Sequence, residues 1–325
     1  MHCELIVPGL FSAAALGNAT ARYPALELLL ARGRRESPES RTLEQWLHDA
    51  FEQPGAALAA GALAAPEPGE SWWARADPVH LRLLRDRAVV VPGEALQISA
   101  DETAQFISTL NQHFSGTAAF HALDARRWSV RLGAEKRFLE NPALEAAGRD
   151  VATSGGNEAL LTEIQMLLHA HPVNEAREAR GEPAVNSLWI WGGGQKPSAA
   201  RGSWRSVAAA DPSALGLARL AGMRRFDLPA SAQAWLEGLP GDGRHLAVLD
   251  ALRAPAALGQ QAEYDEGVEA LERRWFAPLL GALRAQRIGM ITVRVPDAVP
   301  GAGFETVRGD LRRFWRRPRP IGRYI

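Results

Sequence analysis

Short apolar runs closed by Gly or Pro alternate along the chain with stretches whose apolar residues recur at helical spacing, the pattern of buried strands separated by helices. Glu4 to Pro8 is the first such run. Pro8-Gly9 ends it, which predicts a strand opening into a loop. Tyr23 to Arg34 places leucines on one helical face with Gly33 near the end, predicting a helix with a C-terminal stop, and Leu43 to Phe51 predicts a second. Residues 54–70 are rich in Ala, Gly and Pro without a period and read as a connection. Trp72 and Trp73 close it as packing anchors, because no basic groove accompanies them.

Ala88 to Val91 and Ala95 to Ile98 predict strands, and Ser99 to Glu102 has the spacing of a capping box opening a helix that reaches His113. Ala118 to Ala122 and Trp128 to Leu132 predict two strands joined by a polar turn. Asn157 to Arg180 predicts one long helix, followed by a strongly apolar strand, Val185 to Trp191, that runs into Gly192-Gly193-Gly194. Leu246 to Leu249 and Gly289 to Val295 predict buried strands on either side of a helix, Glu266 to Arg284, the alternation of a parallel sheet. The fold class is therefore α/β. A smaller inserted α+β subdomain is expected over 91–179, between core segments 1–90 and 180–325.

At 325 residues the chain can bury a core of its own, and its one cysteine, Cys3, excludes an intrachain disulfide. Thirty-seven basic and 37 acidic residues give a net charge of zero, so no global field gathers nucleic acid or an anionic membrane. No Lys or Arg precedes Arg22, unlike a secretory signal, and no apolar run reaches the roughly 20 residues of a membrane span. A cytoplasmic location, with neither nucleic acid nor membrane as partner, is expected. The segment Leu311 to Tyr324 concentrates six arginines with aromatics and prolines, and reads either as a solvated arm or as a docking element for an acidic partner.

The stretch Glu163 to Pro197, EIQMLLHAHPVNEAREARGEPAVNSLWIWGGGQKP, resembles the archaeal-type cofactor-independent phosphoglycerate mutases. His171, Pro172, Val173, Asn174, Arg177, Asn186, Trp189, Trp191, Gly192, Gly194 and Pro197 carry that likeness without a gap. Ile98 to Phe114 is similar to the family's subdomain helix, and Tyr23 to Gly33 to the helix after its first strand. The chain also resembles the narrower RpfE-type group of proteobacterial regulatory proteins. The resemblance implies an alkaline-phosphatase-like, mostly parallel sheet flanked by helices. It also implies two divalent cations, manganese or zinc, held by Asp and His around a Ser or Thr nucleophile.

Against that pattern the ligands are depleted. Where the family has Asp after strand one, this chain reads Val7-Pro8-Gly9-Leu10, and no histidine follows His245. Asp77, His80, Asp250, Asp265 and Asp297 remain as candidates for a rearranged metal set; Ser71, after Pro68-Gly69-Glu70, is only a loose echo of the nucleophile segment. The candidate ligand-binding set is His171, Asn174, Arg177, Trp191, Gly192, Gly193, Gly194 and Lys196. Small residues after a strand let backbone amides approach an anion, and a turn kept for packing is the competing account. The expectation is a catalytically degenerate mutase-like protein with no cofactor and a regulatory or binding role. Its partner would be another protein or a phosphorylated small molecule. The alternative is an active phosphoglycerate mutase or phosphatase with two rearranged divalent cations.

Overall fold

Cys3, Leu5 and Val7 point to one side of the first strand, and His2, Glu4 and Ile6 to the other, so one side of the sheet built around it is apolar and the other holds charge. The computed structural model describes residues 1–17, 21–53, 59–65, 71–83, 88–133, 139–147 and 158–324.

The chain opens with β1 (His2–Ile6), α1 (Pro24–Arg32), β2 (Arg34–Glu36) and α2 (Leu43–Ala50). It continues through α3 (Ala60–Ala64), β3 (Trp72–Leu83), β4 (Ala88–Pro92), α4 (Ala100–His113), β5 (Ala118–Ala122) and β6 (Trp128–Leu132). Then come α5 (Glu158–His169), α6 (Pro172–Ala179), β7 (Ser187–Gly194), β8 (Ser206–Ala209), α7 (Pro212–Leu220), β9 (Arg224–Asp227) and α8 (Ala232–Gly238). The last elements are β10 (Arg244–Val248), α9 (Arg253–Leu258), α10 (Gln261–Leu271), α11 (Ala277–Arg284), β11 (Met290–Val295) and β12 (Ala302–Val307). A π-helical turn, Glu272–Phe276, joins α10 to α11.

These elements form two units, residues 1–53 with 199–325, and residues 54–198. The first is discontinuous. Its exit and return are tied together by Gln53 Nε2 donating to the Ala199 carbonyl at 3.0 Å and the Arg201 amide donating to Phe51 at 2.9 Å.

The first unit holds a seven-stranded sheet in the order β2-β12-β11-β1-β10-β8-β9. Strands β11, β1, β10, β8 and β9 are mutually parallel, while β12 runs antiparallel to both its neighbours. One face packs Cys3, Leu5, Ala247, Ile291 and Val293 against α1, α8, α10 and α11. Sharing a face follows from the path: the connections β1 to β2, β9 to β10 and β10 to β11 all run the same way along the sheet, and right-handed crossovers then fall on one side. Helix α7 joins β8 to β9 in the opposite direction and contributes none of its buried residues to that cluster.

On the other face Glu4 is buried at the centre of the sheet. It accepts from Arg294 Nε at 2.6 Å, Arg244 Nη2 at 2.8 Å and Trp204 Nε1 at 2.7 Å. Burial alone would push its pKa up; the hydrogen bonds and charges of Arg294, Trp204 and Arg244 outweigh it and hold the carboxyl below its ordinary range.

The second unit is an antiparallel sheet of order β4-β3-β6-β5, with β7 also paired to β3. Its core sets Phe106 and Leu110 of α4, and Leu161, Ile164 and Leu168 of α5, against Ala74, Ala76, Val130, Leu188 and Ile190 of the strands. Among the described residues no helix is long and apolar enough to cross a membrane.

The structure thus has the α/β fold expected, a large mostly parallel sheet flanked by helices beside a separate antiparallel sheet. Its division falls at 54 and 198 rather than at 91 and 179. Strand β3, unread in the sequence, is the reason: it recruits β4, β6 and β7 into one sheet, so the strand expected over Val185 to Trp191 lies in the inserted unit. The strand expected over Ala95 to Ile98 is a 3-10 turn, Gly93–Ala95, with Gln97 at φ +50. The helix expected over Asn157 to Arg180 is two helices, because Pro172 has no amide hydrogen and drives His171 into extended backbone. Most of the connection expected over 54–70, with Pro68 to Glu70, lies outside the described residues.

Glu4→Gln removes the charge but keeps the shape, leaving two arginines without their buried counterion. Arg244 and Arg294 are partly exposed and can rehydrate, so the loss is expected at about 2 kcal/mol, below that of a fully buried pair. Urea unfolding of the two forms measures it, and an unchanged midpoint would contradict the ledger.

Candidate functional site

In the second unit the mutase-like motif resolves into internal hydrogen bonds. His171 caps α6: its Nδ1 accepts from the Val173 amide at 3.2 Å and its Nε2 meets Thr109 Oγ1 at 2.9 Å. Its ring stacks near Phe106, centroids 4.6 Å apart. Asn174 stitches the end of α5 to the approach to β7, with Nδ2 donating to the carbonyls of Leu168 and Val185 at 2.7 and 2.9 Å and Oδ1 accepting from the Val185 amide at 2.8 Å. Arg177 is fully buried and donates to Pro183 O at 2.9 Å, Leu96 O at 2.5 Å and Glu102 Oε2 at 2.9 Å. These three side chains are spent on the scaffold.

Trp191 lies elsewhere in the same unit, on β7, and donates from Nε1 to Asp77 Oδ2 at 2.7 Å. The other Asp77 oxygen accepts from Arg75 Nη2 at 2.7 Å and the Trp128 amide at 3.0 Å. Asp77 thereby accepts three hydrogen bonds from within its own unit and acts as a structural anchor, and His80 is held through Nδ1, 2.8 Å from the Ala184 carbonyl. Gly192 and Gly194 are packing positions. A Cβ on Gly192 or Gly194 would fall 2.8 or 2.7 Å from the Cβ of Ala60 or Ala59, so both glycines admit α3 and the residue before it, and the Gly192 amide donates to Leu139 O at 2.8 Å. Gly193 is half-buried between them, and Lys196 is exposed beyond the strand.

In the first unit the crevice outside the carboxyl ends of parallel strands is where ligands of open α/β sheets bind. Here that edge carries Pro8-Gly9 after β1, Asp250 after β10 and Asp297 after β11. Gly9, at φ +84, donates its amide to Asp297 Oδ2 at 2.7 Å, and a Cβ there would lie 2.9 Å from Leu252 O. Arg253 grips Glu44 through two parallel bonds of 2.9 Å. Asp265 stands on α10, accepting from Gln261 Nε2 at 2.9 Å.

Of the five metal candidates, Asp250, Asp265 and Asp297 belong to the first unit, Asp250 and Asp297 just beyond strand ends and Asp265 on α10; Asp77 and His80 belong to the other. Among the described residues no three of His, Cys, Asp and Glu come together as a metal-holding group. His245, the last histidine, is near the start of β10, bonded to Ser206 Oγ and Gly241 O at 2.8 and 2.9 Å, away from the carboxyl end. A donor set of two carboxylates, one already accepting from a backbone amide, does not fit the pair of divalent cations that mixed Asp and His ligands hold. The role of Asp77 as an anchor escaped the sequence; its signal was the pairing of Arg75 with Asp77 on one face of a strand not recognised as one.

No family model matches the chain. It is similar to the 2,3-bisphosphoglycerate-independent phosphoglycerate mutase of Methanosarcina mazei, 26% identical over 215 residues that cover 56% of this chain and 52% of that one. It is also similar to 2,3-bisphosphoglycerate-independent phosphoglycerate mutase 2 of Methanothermobacter thermautotrophicus, 27% identical over 248 residues covering 65% and 62%. The chain thus spans between half and two thirds of the length of these curated relatives. Among solved structures, the PH0037 protein from Pyrococcus horikoshii matches in fold with a TM-score of 0.58 at 12% identity, over 94% of this chain and 87% of that chain. Fold and sequence together define the class: an α/β protein with a mostly parallel sheet and a separate antiparallel one. Within that class the chain is phosphoglycerate mutase-like.

Burial lowers the pKa of His171, and the cap requires its Nδ1 unprotonated. The unfolded chain then takes up the proton first, so the contribution is complete above about pH 6.5 and is lost as pH falls through the lowered folded value. His171→Asn keeps a capping side chain that does not titrate. The stability difference between wild type and variant, from urea unfolding at about pH 7.5 and about pH 5.5, is expected to shift in favour of the variant at the lower pH, and an unchanged difference would contradict the cap's pH dependence.

Proposed function

We propose that the chain is a catalytically degenerate phosphoglycerate mutase-like protein with a regulatory or binding role, in keeping with the RpfE-type regulatory proteins its sequence resembles. The observation that carries this is the carboxyl edge of β1, β10 and β11. Where two-cation chemistry needs an Asp after the first strand, this chain has Pro8 and a glycine whose amide is committed to Asp297. Phosphoryl transfer by that route depends on cations to neutralise the transferring oxygens and to activate the attacking hydroxyl. Two carboxylates and a closed Arg253–Glu44 pair supply neither function. The proposed partner is another protein or a phosphorylated small molecule. A cytoplasmic setting, with no resident metal, belongs to the same proposal.

The position of Asp250 and Asp297 just after the strands that flank β1 favours a second account, a divalent-metal-dependent mutase or phosphatase with rearranged ligands. Elemental analysis of protein purified without chelator, with an assay for interconversion of 3- and 2-phosphoglycerate in added manganese or zinc, separates the two. The expected result is no stoichiometric metal and no interconversion. Two tightly bound equivalents, with activity lost on chelation and in the Asp250→Ala, Asp297→Ala double variant, would replace the proposal with the enzyme account.

A further inference from the structure

The C-terminal segment is a docked element of the first unit, not a loose arm. Arg32 Nη1 donates to the Leu311 carbonyl, Arg313 Nη1 to Arg32 O at 3.2 Å and Arg316 Nη1 to Gly33 O at 2.9 Å, so the segment crosses the carbonyl end of α1. Those carbonyls carry the negative end of the helix dipole, which accounts for Arg313 and Arg316. Ile321 is buried, and Tyr324 stacks on Phe11 at 6.4 Å and meets Phe304 edge-on at 5.9 Å.

Between this segment and α1 lies a cleft of about 450 Å³, lined by Arg35, Arg316, Arg317, Arg319 and Arg323 together with Trp315. Its volume falls within the range of about 300 to 1,000 Å³ typical of small-molecule sites. No carboxylate is among the described residues that line it, and none of the five arginines forms an ion pair with another described residue. Five like charges held around one cleft by an anchored backbone repel each other, and in a chain of zero net charge this local excess calls for an anion. Trp315 is 66% exposed although its neighbour Phe314 meets it edge-on at 5.3 Å.

We propose that this cleft binds a nucleoside di- or triphosphate, its phosphates held by the guanidinium groups of Arg317, Arg319 and Arg323 and its base stacked on Trp315. The guanidinium fork matches phosphate oxygens two at a time, and an indole ring offers a base a flat apolar partner. Arg316 already meets the Gly33 carbonyl and Arg35 lies over Phe304, and a single phosphate would not occupy the remaining three guanidinium groups. The site is separate from the carboxyl edge of the sheet, and its occupation requires no metal ligand there.

Isothermal titration of the 325-residue chain with ATP, GTP, pyrophosphate and a single-stranded RNA, at about 0.15 M salt, tests the assignment. Saturable one-to-one binding of ATP or GTP in the micromolar range is expected, with the Arg317→Ala, Arg319→Ala double variant weakened about tenfold or more. Trp315→Ala is expected to weaken the nucleotides and leave pyrophosphate unchanged. These side chains are exposed, so the variants should keep the wild-type melting temperature, and Arg317→Gln with Arg319→Gln repeats the charge removal with longer side chains. The proposal is overturned by nucleotide binding that does not saturate by about 1 mM, where affinity is only about 4 kcal/mol, or by variants that bind like wild type. RNA bound more tightly than either nucleotide, with a steep salt dependence, would overturn it too and make the segment a nucleic-acid surface.

Discussion

A carboxylate buried inside a sheet constrains everything around it, and each unit of this protein is arranged about one. In the first, Glu4 sits on the central strand with Arg294, Arg244 and the Trp204 indole as donors. In the second, Asp77 sits on the strand that pairs with three others and is met by Arg75, the Trp191 indole and a backbone amide. The solutions share a geometry. In each, an arginine lies over the ring of the tryptophan that donates to the carboxylate, Arg244 at 5.4 Å from Trp204 and Arg75 at 5.3 Å from Trp191. The indole supplies a neutral hydrogen bond while its face receives the cation, so one side chain helps satisfy both members of a buried ion pair. A register slip of one residue would turn the carboxylate into the apolar face, which makes the pair a determinant of register.

That constraint changes the meaning of the mutase-like motif. Trp191, His171, Asn174 and Arg177 look like site residues because polar and aromatic groups cluster in one ungapped stretch. Their partners are instead carbonyls, amides and carboxylates of the same unit, and replacing any of them would strand a buried donor or acceptor. Such residues serve folding whatever the chemistry of the carboxyl edge, so the motif by itself does not decide what that edge does.

Elements with a local signature were legible in the sequence. The Ser99 to Glu102 capping box forms as its spacing predicts, and β5, β6 and β11 lie where their apolar runs place them. Strand β3 was not, since Asp77-Pro78 in its middle argues against a central strand. Pro78 is admitted because β6 stops pairing at Arg75 and β4 starts at Val79, leaving β7 as the one ladder partner there. Strand β8, only four residues of Ser, Val and Ala, and β12, which carries Gly303, Glu305 and Thr306, owe their conformation to neighbours already in the sheet. At the carboxyl edge the sequence shows only that Pro8-Gly9 follows β1 and that no histidine follows His245; the contact between the Gly9 amide and Asp297 joins residues 288 positions apart and had no local signature.

Arginine shows the limit of composition most clearly. With two lysines in the chain, 35 of the 37 basic residues are arginine, and their number carries no functional meaning. Geometry sorts them. Arg75 and Arg177 are buried, and their guanidinium groups are spent on carbonyls and carboxylates that would otherwise be stranded. Arg317, Arg319 and Arg323 are exposed around a cleft with no carboxylate among its described lining residues, on a segment whose own anchoring uses different residues. A net charge of zero is then a sum over two populations, one neutralised in place and one left to act on solvent. The field that the total charge hides belongs to the second.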